Sequence, residues 1–268
     1  MRRDRVPRAL TIAGSDSGGG AGIQADLKTF AAHGVHGSSA IAALTAQNTR
    51  GVRGVLGVRP AFVRAQIDAV LDDLGADAVK VGMLLERRIV AAVADAMTAH
   101  RVRRLVVDPV MVAKGGEGLL AASAVAALCT RLLPLAAVVT PNLPEAAALV
   151  GFAVTDLASM AAAARDIMRM GARAVVVTGG HLTGDAADLL LMRGSVLVLR
   201  ARRVPVAPPH GTGCTFSAAL AAALAWGLPL EDAVRAAKRY TTACIRRARC
   251  LGAGHPVLGH LPQALRVR

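Results

Sequence analysis

The sequence predicts an α/β fold with a doubly wound, mostly parallel central sheet flanked by helices and a small antiparallel hairpin. Short apolar runs alternate with longer Ala/Leu-rich helical patterns, which implies parallel pairing through right-handed crossovers. Runs such as Leu105-Val106-Val107 and Val175-Val176-Val177 are unbroken, as strands buried on both faces require. The 268 residues show no linker or internal repeat, so we expect one domain over residues 1–268, with 1–8 a flexible basic tail.

The individual elements follow from the same alternation. The strands are predicted at Ala9–Gly14, Ala78–Met83, Leu105–Val110, Ala137–Thr140 and Ala174–Thr178. The helices are predicted at Gly22–Ala32, Pro60–Leu74, Glu86–Ala99, Gly118–Leu132, Leu143–Val150 and Leu157–Met170. Leu189–Leu191 and Val196–Leu199, separated by a Gly-containing turn, predict the hairpin.

The longest uncharged run, Gly211–Leu230, reaches the length of a membrane span. It is rich in small residues, and Gly227 and Pro229 interrupt it. We therefore expect a buried helix of about four turns and no membrane segment.

The formal net charge of +14 raises the question of nucleic-acid binding. Most of the excess is arginine, which clusters at Arg2–Arg8, Arg101–Arg104, Arg200–Arg203 and Arg246–Arg249. No aromatic residues are interleaved with these clusters, as base stacking on single strands would require. The charge therefore favours a solvated basic surface and an anionic substrate over nucleic acid.

The four cysteines contain no C-x-x-C pair, which is typical of a reducing compartment. The charged residues at the start of the chain are followed by only a short apolar stretch, cut off by Ser15-Asp16 and three glycines. That pattern does not resemble a signal peptide, so we expect a cytoplasmic protein.

A glycine-rich loop, Gly18–Gly22, lies between the first predicted strand and helix. Glycines allow a backbone to approach a phosphate, so a dinucleotide site is one interpretation. The match to G-x-G-x-x-G is imperfect, however, and no strand ending in an acidic residue follows about twenty residues later. A loop that faces some other ligand is the better interpretation, and a tight strand-to-helix turn without a ligand is the alternative.

A second glycine-containing segment, His210–Thr215, begins the long buried helix. Gly211, Thr212 and Gly213 free backbone amides to converge at a helix N-terminus, which predicts an anion hole. Cys214 is expected to have a lowered thiol pKa at this position. The alternative is a buried structural cysteine behind a glycine N-cap.

The segment Asn142-Leu143-Pro144-Glu145 follows a predicted strand. Its residues fit a helix N-cap with a capping-box glutamate. They equally fit a hydrated Mg²⁺, approached by Asp108 from the end of a neighbouring strand.

Four polar or flexible residues occupy apolar settings, namely Asp26, Gln47, Asn48 and Met83. The Gln47 amide offers both donors and an acceptor, which suits the edge of a nitrogen heterocycle. Considered alone, Gln47 fits equally well as a glutamine that only supports a loop.

Seven segments, in order from Ala9 to Arg247, resemble the hydroxymethylpyrimidine/phosphomethylpyrimidine kinases of thiamine biosynthesis, within the ribokinase-like superfamily. They comprise residues 11–30, 46–49, 80–84, 108–111, 140–146, 179–182 and 210–215. The first and last are specific to this kinase group, whereas Asn142 and Glu145 belong to a motif of the wider superfamily.

The resemblance implies ATP- and Mg²⁺-dependent phosphorylation of 4-amino-5-hydroxymethyl-2-methylpyrimidine and then of its monophosphate, in a homodimer. It implies that the pyrimidine is bound by Gly14, Asp26, Gln47, Met83 and Val110. It makes Cys214 the catalytic residue beside the anion hole of Gly211, Thr212 and Gly213. It assigns the metal to Asp108, Asn142 and Glu145, and the nucleotide to Lys114, Thr178, Gly180, His210 and Lys238.

Three positions depart from the family pattern. Thr178 replaces a common lysine, Pro208-Pro209 replaces polar residues, and Gly115-Gly116-Glu117 is a variant of the flap after Lys114. The main alternative is a kinase of the vitamin B6 type, because pyridoxine is a hydroxymethyl heterocycle of similar size. A non-catalytic nucleotide- or nucleic-acid-binding protein is the second alternative.

Overall fold

A mixed β-sheet forms the centre of the computed structural model, which describes residues 5–111 and 122–260. Its strands are β1 (Arg8–Asp16), β2 (His36–Asn48), β3 (Gly51–Gly57), β4 (Ala78–Val81), β5 (Leu105–Val107), β6 (Val138–Val139), β7 (Ala174–Val177), β8 (Ala186–Met192) and β9 (Ser195–Ala201). In the described residues the strand order is β3-β2-β1-β4-β5-β6-β7-β8-β9. The pairs from β2 to β7 are parallel, whereas β3, β8 and β9 are antiparallel to their neighbours.

Helices cover both faces of this sheet. They are α1 (Gly22–Ala32), α2 (Pro60–Asp73), α3 (Arg87–Ala99), α4 (Ala122–Ala127), α5 (Leu143–Val150), α6 (Leu157–Arg169), α7 (Thr212–Ala225) and α8 (Leu230–Arg246). Strand side chains alternate between the two layers: Ile12 and Val81 pack with α2–α6, whereas Ala9 and Val106 pack with α1, α7 and α8. The strands are therefore buried on both faces, as their unbroken apolar runs predict.

Most predicted elements are confirmed. Helices α1 and α5 have the predicted bounds, and the hairpin is formed by β8 and β9. Helix α4 continues into a π-helical turn over Leu128–Leu132, and residues 118–121 of the predicted helix lie outside the described residues. Helix α7 is buried, and within the described part of the chain no helix is both long and apolar enough to cross a bilayer.

Three elements were not predicted. The β2–β3 hairpin extends the sheet beyond β1, and α8 packs against α7. The expectation of a tail over residues 1–8 is wrong for residues 5–8: Arg8 begins β1, and Arg5 forms an ion pair with Asp77. Residues 1–4 lie outside the described residues.

The parallel strands end at one edge of the sheet. β1 ends at Asp16, and the residues after β4, β5, β6 and β7 include Met83, Asp108, Asn142 and Thr178. Carboxyl ends of parallel strands form the usual ligand-binding edge of such sheets, so this edge carries the candidate site.

Candidate active site

The glycine-rich loop is folded around the carboxylate of Asp16. Asp16 Oδ1 accepts a hydrogen bond from Gly18 N at 2.8 Å, and its Oδ2 accepts from Gly20 N at 3.0 Å and Ala21 N at 2.9 Å. Burial by itself would raise the pKa of Asp16, but the hydrogen bonds to His210 and the loop amides outweigh it and lower the pKa. Asp16 is thus a site-building residue that the sequence interpretation missed, although an aspartate before Ser-Gly-Gly is typical of such a side-chain-capped turn.

The side chains of Gln47 and His210 meet above this loop. Gln47 Nε2 lies 2.7 Å from His210 Nε2, and Gln47 Oε1 accepts a hydrogen bond from Thr45 Oγ1 at 2.9 Å. His210 Nε2 is also 3.3 Å from Asp16 Oδ2. The structure therefore braces Gln47 on both sides, and it places the His210 ring against the glycine-rich loop.

A small apolar wall lies beside these polar groups. Met83 packs with Ala43 and Val110, and Gly14 lies so close that a Cβ there would overlap Met83 Cε. Three residues expected to bind the pyrimidine (Gly14, Met83 and Val110) are thus close together.

Asp26 has a different environment, because it forms a fully buried ion pair with Lys80. Lys80 Nζ lies 2.9 Å from Asp26 Oδ2 and 3.1 Å from Oδ1, and Thr11 Oγ1 donates to Oδ2 at 2.6 Å. Burial by itself would lower the pKa of Lys80, but the negative charges of Asp26 and Asp108 outweigh it and raise the pKa. Lys80 is therefore a permanent positive charge beneath the site, and its only local sequence signal is a lysine inside an apolar strand.

The predicted anion hole is formed by the start of α7. Gly211 precedes the helix with φ of 85°, and a Cβ there would overlap the carbonyl oxygen of Gly20, so a side chain cannot be accommodated. No side chain caps the helix, which leaves the amides of its first turn, from Thr212 to Cys214, available for an anion.

The thiol of Cys214 is not acidic, contrary to expectation. Burial raises its pKa to about 12; Lys80 and a hydrogen bond from Gly22 N act to lower it, and Asp108 and Asp26 act to raise it. A position at a helix N-terminus predicts a lowered pKa for this thiol. That prediction leaves out burial and the charges of Asp108 and Asp26, which act in the opposite direction.

The three residues expected at a metal lie at the ends of β5 and β6. Glu145 N donates to Asn142 Oδ1 and Asn142 N donates to Glu145 Oε2, each at 2.9 Å, which confirms the capping box. Asp108 Oδ2 accepts a hydrogen bond from Ser217 Oγ at 2.9 Å. Burial and the nearby charge of Asp108 raise the pKa of Glu145 to about 8.

This carboxylate pair fits a magnesium ion. In the part of the chain that the structure describes, no group of three or more His, Cys, Asp or Glu side chains is placed to hold a metal. Magnesium, however, usually takes one or two carboxylates and keeps several waters. Glu145 and Asp108 are both buried, and the charge of Asp108 raises the pKa of Glu145, so a cation held beside them would favour the ionised form of Glu145.

The residues expected at the nucleotide fall into two places. Thr178 N donates to Pro141 O at 2.8 Å, and Gly180 O accepts from Arg203 Nη1 at 2.9 Å. Lys238 Nζ pairs with Asp188 Oδ2 at 2.8 Å, and Asp188 Oδ1 accepts from Gly179 N at 2.9 Å. Thr178, Gly180 and Lys238 thus belong to the surroundings of one loop, which Asp188 anchors.

His210 is not among those residues, because its side chain contacts Gln47, Asp16 and Gly20. Lys114 lies outside the described residues.

Sequence comparison relates the chain to known kinases. The family model described as phosphomethylpyrimidine kinase matches residues 16–258. The hydroxymethylpyrimidine/phosphomethylpyrimidine kinase of Rhizobium meliloti is 57% identical over 242 residues, which cover 90% of this chain and 91% of that protein. The thiamine biosynthesis bifunctional protein ThiED of Geobacter sulfurreducens is 52% identical over 270 residues. This chain is covered completely in that alignment but spans only 55% of the bifunctional protein.

Structural comparison gives two kinds of relative. The ADP complex of Bacillus subtilis pyridoxal kinase superposes with a TM-score of 0.90 at 39% identity, covering 96% of this chain and 98% of that one. A phosphomethylpyrimidine kinase from Clostridium difficile superposes with a TM-score of 0.80 at 40% identity, covering 90% of this chain and 100% of that one.

Proposed function

The chain belongs to the phosphomethylpyrimidine kinase family, and on that premise we propose how its own residues carry out two phosphoryl transfers. ATP phosphorylates the alcohol of 4-amino-5-hydroxymethyl-2-methylpyrimidine, and a second transfer converts the monophosphate into the diphosphate used for thiamine diphosphate. The observation that carries this function is the family match over residues 16–258, because it spans both the glycine-rich loop and Cys214.

The pyrimidine ring binds between the apolar wall and the amide of Gln47. Gly14, Met83 and Val110 offer an apolar surface, and the half-buried Gln47 is held by Thr45 and His210. Such a fixed amide recognises ring nitrogen and amino groups without losing side-chain entropy on binding. We assign Asp26 an indirect role in this site, because its carboxylate pairs with Lys80 beneath the site.

The transferred phosphoryl group lies at the start of α7. The amides of Thr212, Gly213 and Cys214 stabilise its negative charge, since preorganised donors at a helix N-terminus act without reorganisation. In the first transfer the alcohol oxygen attacks phosphorus, ADP leaves, and the alcohol proton passes to Cys214 Sγ. The Gly22 amide and the Lys80 charge stabilise the thiolate that accepts this proton.

Asp108, Asn142 and Glu145 would hold Mg²⁺ largely through water. When bound, Mg²⁺ would supply positive charge beside the phosphates and beside Asp108, a carboxylate that acts to raise the pKa of the Cys214 thiol. We infer that Cys214 is protonated in the free protein and becomes a competent base only when the site is loaded.

Thr178, Gly180 and Lys238 are proposed to contact the nucleotide, because they surround the loop after β7 at the same edge of the sheet. His210 is assigned instead to the pyrimidine end, where it orients Gln47. Phosphoryl transfer depends mostly on positioning and charge stabilisation, and the site provides both.

A second activity, phosphorylation of pyridoxal or pyridoxine, is favoured by one observation. The Bacillus subtilis pyridoxal kinase superposes with the higher of the two TM-scores given above. A comparison of kcat/KM for the pyrimidine alcohol and for pyridoxal with the same preparation ranks the two substrates.

The proposed function is tested by mass spectrometry of the products formed from the pyrimidine alcohol and Mg·ATP. We expect the monophosphate to appear first and the diphosphate to follow, with ADP formed in step. Phosphorylation of pyridoxal without any phosphorylation of the pyrimidine would contradict the assignment and support the B6-type alternative.

We propose that the enzyme is a cytoplasmic homodimer. All four cysteines are free, as expected in a reducing compartment. Leu44, Val55 and Leu56 on the β2–β3 hairpin are exposed, and they offer an apolar surface for a second copy. Sedimentation analysis of wild type and of Leu56→Lys tests the dimer, since a single mass equal to the monomer in wild type would exclude it.

A further inference from the structure

A cavity of about 450 Å³ lies at the opposite edge of the sheet from the active site. Its walls include Gly75–Ala78, which lead into β4, and His100–Arg104, which lead into β5. Arg8 begins β1 near this cavity and Asp16 ends the same strand at the active site. Eight residues of strand separate the two edges by roughly 25 Å, so the cavity is distinct from the catalytic centre.

Arginines dominate the charge around this cavity. Arg101, Arg103 and Arg104 have exposed side chains, and among the described residues none of the three guanidinium groups is paired with a carboxylate. Asp77 is the acidic residue of the lining. It is already engaged by Arg5 and by Arg8, whose backbone N donates to Asp77 Oδ2 at 2.9 Å.

The protein's own carboxylates do not neutralise all of the positive charge around the cavity. Arg101, Arg103 and Arg104 line the cavity with one carboxylate, Asp77, which Arg5 and Arg8 already engage. Asp68 and Asp72 also lie close by, but they face the lining residue His100 and pair with none of the three lining arginines. Arg8 Nε is buried without a hydrogen-bond partner, at 3.5 Å from Asp77 Oδ2. Arg101 has a left-handed backbone with φ of 52° because it ends helix α3, where Val102 N donates to Met97 O at 3.0 Å. A bound anion would relieve the repulsion among these like charges.

The rest of the lining indicates an organic anion. Leu71, Ala76, Ala78 and Val102 contribute apolar surface beside the arginines. The cavity volume is within the range of small-molecule sites. A nucleoside diphosphate combines an apolar ring with about three negative charges at neutral pH, and guanidinium groups bind phosphate oxygens in pairs.

We propose that the arginine-lined cavity between α2 and the His100–Arg104 loop binds an organic diphosphate, separately from the active site. Two arginine clusters that are far apart in sequence lie close together here. The cluster Arg2–Arg8 contributes Arg5 and Arg8, and the cluster Arg101–Arg104 contributes its three arginines. This site would report the level of a diphosphate to the enzyme without using the catalytic residues.

The test is calorimetric titration of the full chain with ADP, in buffer of physiological salt. Arg103→Gln/Arg104→Gln removes two unpaired guanidinium groups from the cavity. Arg193→Gln/Arg202→Gln removes the same charge from exposed positions elsewhere and serves as the matched control. We expect the cavity variant to bind one ADP per chain fewer than wild type, or to bind it at least tenfold more weakly, and the control to match wild type. The kinase activity and Tm without ligand should be the same in all three proteins.

Two further probes identify what is recognised. Pyrophosphate should compete for the lost site, whereas adenosine should not, because the arginines bind the diphosphate. An identical ADP stoichiometry and affinity in all three proteins would overturn the proposal, as would an equal loss in the control. Tighter binding of a short RNA duplex than of ADP, lost in the cavity variant, would overturn it in favour of a nucleic-acid surface.

Discussion

Lys80 Nζ lies 2.9 Å from Asp26 Oδ2, and both side chains are completely buried beneath the active site. A buried charge without its partner is far more costly than a buried pair. The pair therefore links strand β4 to helix α1 and keeps a fixed positive charge near Cys214.

Lys80→Met is expected to lower the free energy of unfolding by about 3–5 kcal/mol, because it leaves the Asp26 carboxylate buried alone. Lys80→Met/Asp26→Leu removes both charges and should be more stable than the single variant. Urea unfolding of the wild type, both singles and the double measures the interaction. Strictly additive losses would show that the two side chains do not depend on one another.

Gln47→Leu should raise KM for the pyrimidine alcohol, because the ring would face an apolar group in place of its hydrogen-bond partner. The loss is worth roughly 1–3 kcal/mol, or about a 5- to 150-fold change. The KM for ATP should stay the same. Gln66→Leu is the matched control, since Gln66 binds the backbone of Ile41 away from the site. An unchanged KM for the pyrimidine in Gln47→Leu would remove this residue from the substrate site.

Glu145→Gln should raise the Mg²⁺ concentration needed for half-maximal activity, because the amide keeps a capping oxygen but carries no charge. Glu231→Gln, in the first turn of α8, is the control for removing a helix-terminal carboxylate. A Mg²⁺ titration of initial rates measures the effect. Loss of thermal stability with an unchanged Mg²⁺ titration would instead assign Glu145 a capping role alone.

The raised pKa of Glu145 also makes the stability of the folded protein depend on pH. The pKa of Glu145 is raised from 4.5 to about 8 in the folded protein, so the folded state holds the proton more tightly than the unfolded state. Its contribution to stability is present at low pH and is lost as pH rises from about 4.5 to about 8. Tm of wild type should therefore fall more than Tm of Glu145→Gln between about pH 5 and about pH 8, measured without Mg²⁺. Parallel Tm curves would show that the Glu145 carboxyl is not protonated in the fold.

The unpredicted elements have physical explanations. β2 consists largely of Gly, Ser and Ala, which have weak strand preference, and it becomes a strand because β1 provides a partner along its length. Helix α8 did carry a signal, since its buried residues Ala233, Val234, Ala237, Thr241 and Cys244 recur at helical spacing.

Among the site residues, contacts between positions close in sequence could be predicted, whereas contacts between distant positions could not. The Asn142–Glu145 capping box could be predicted because its partners are three residues apart. The Lys80–Asp26 pair and the Gln47–His210 contact join residues that are distant in sequence, so no local pattern indicates them. The pKa of Cys214 had the wrong expected sign because burial and Asp108 are properties of the tertiary structure.

Cys214 distinguishes the two transfers. The alcohol must lose a proton as its oxygen attacks phosphorus, and a positioned base is worth roughly 10²–10⁴-fold. A phosphate monoester, with a second pKa near 6, is already mostly ionised at neutral pH and gains little from a base. Burial holds the pKa of the free Cys214 thiol at about 12, so the alcohol reaction should still accelerate as pH rises above neutral.

The most direct test is kcat/KM of wild type and Cys214→Ser on the alcohol and on the monophosphate, between about pH 6 and about pH 9. We predict a loss of about 10²–10⁴-fold on the alcohol, a much smaller loss on the monophosphate, and a rise with pH only for the wild type on the alcohol. Equal losses on both substrates, with parallel pH profiles, would contradict the account and leave Cys214 as part of the anion hole alone.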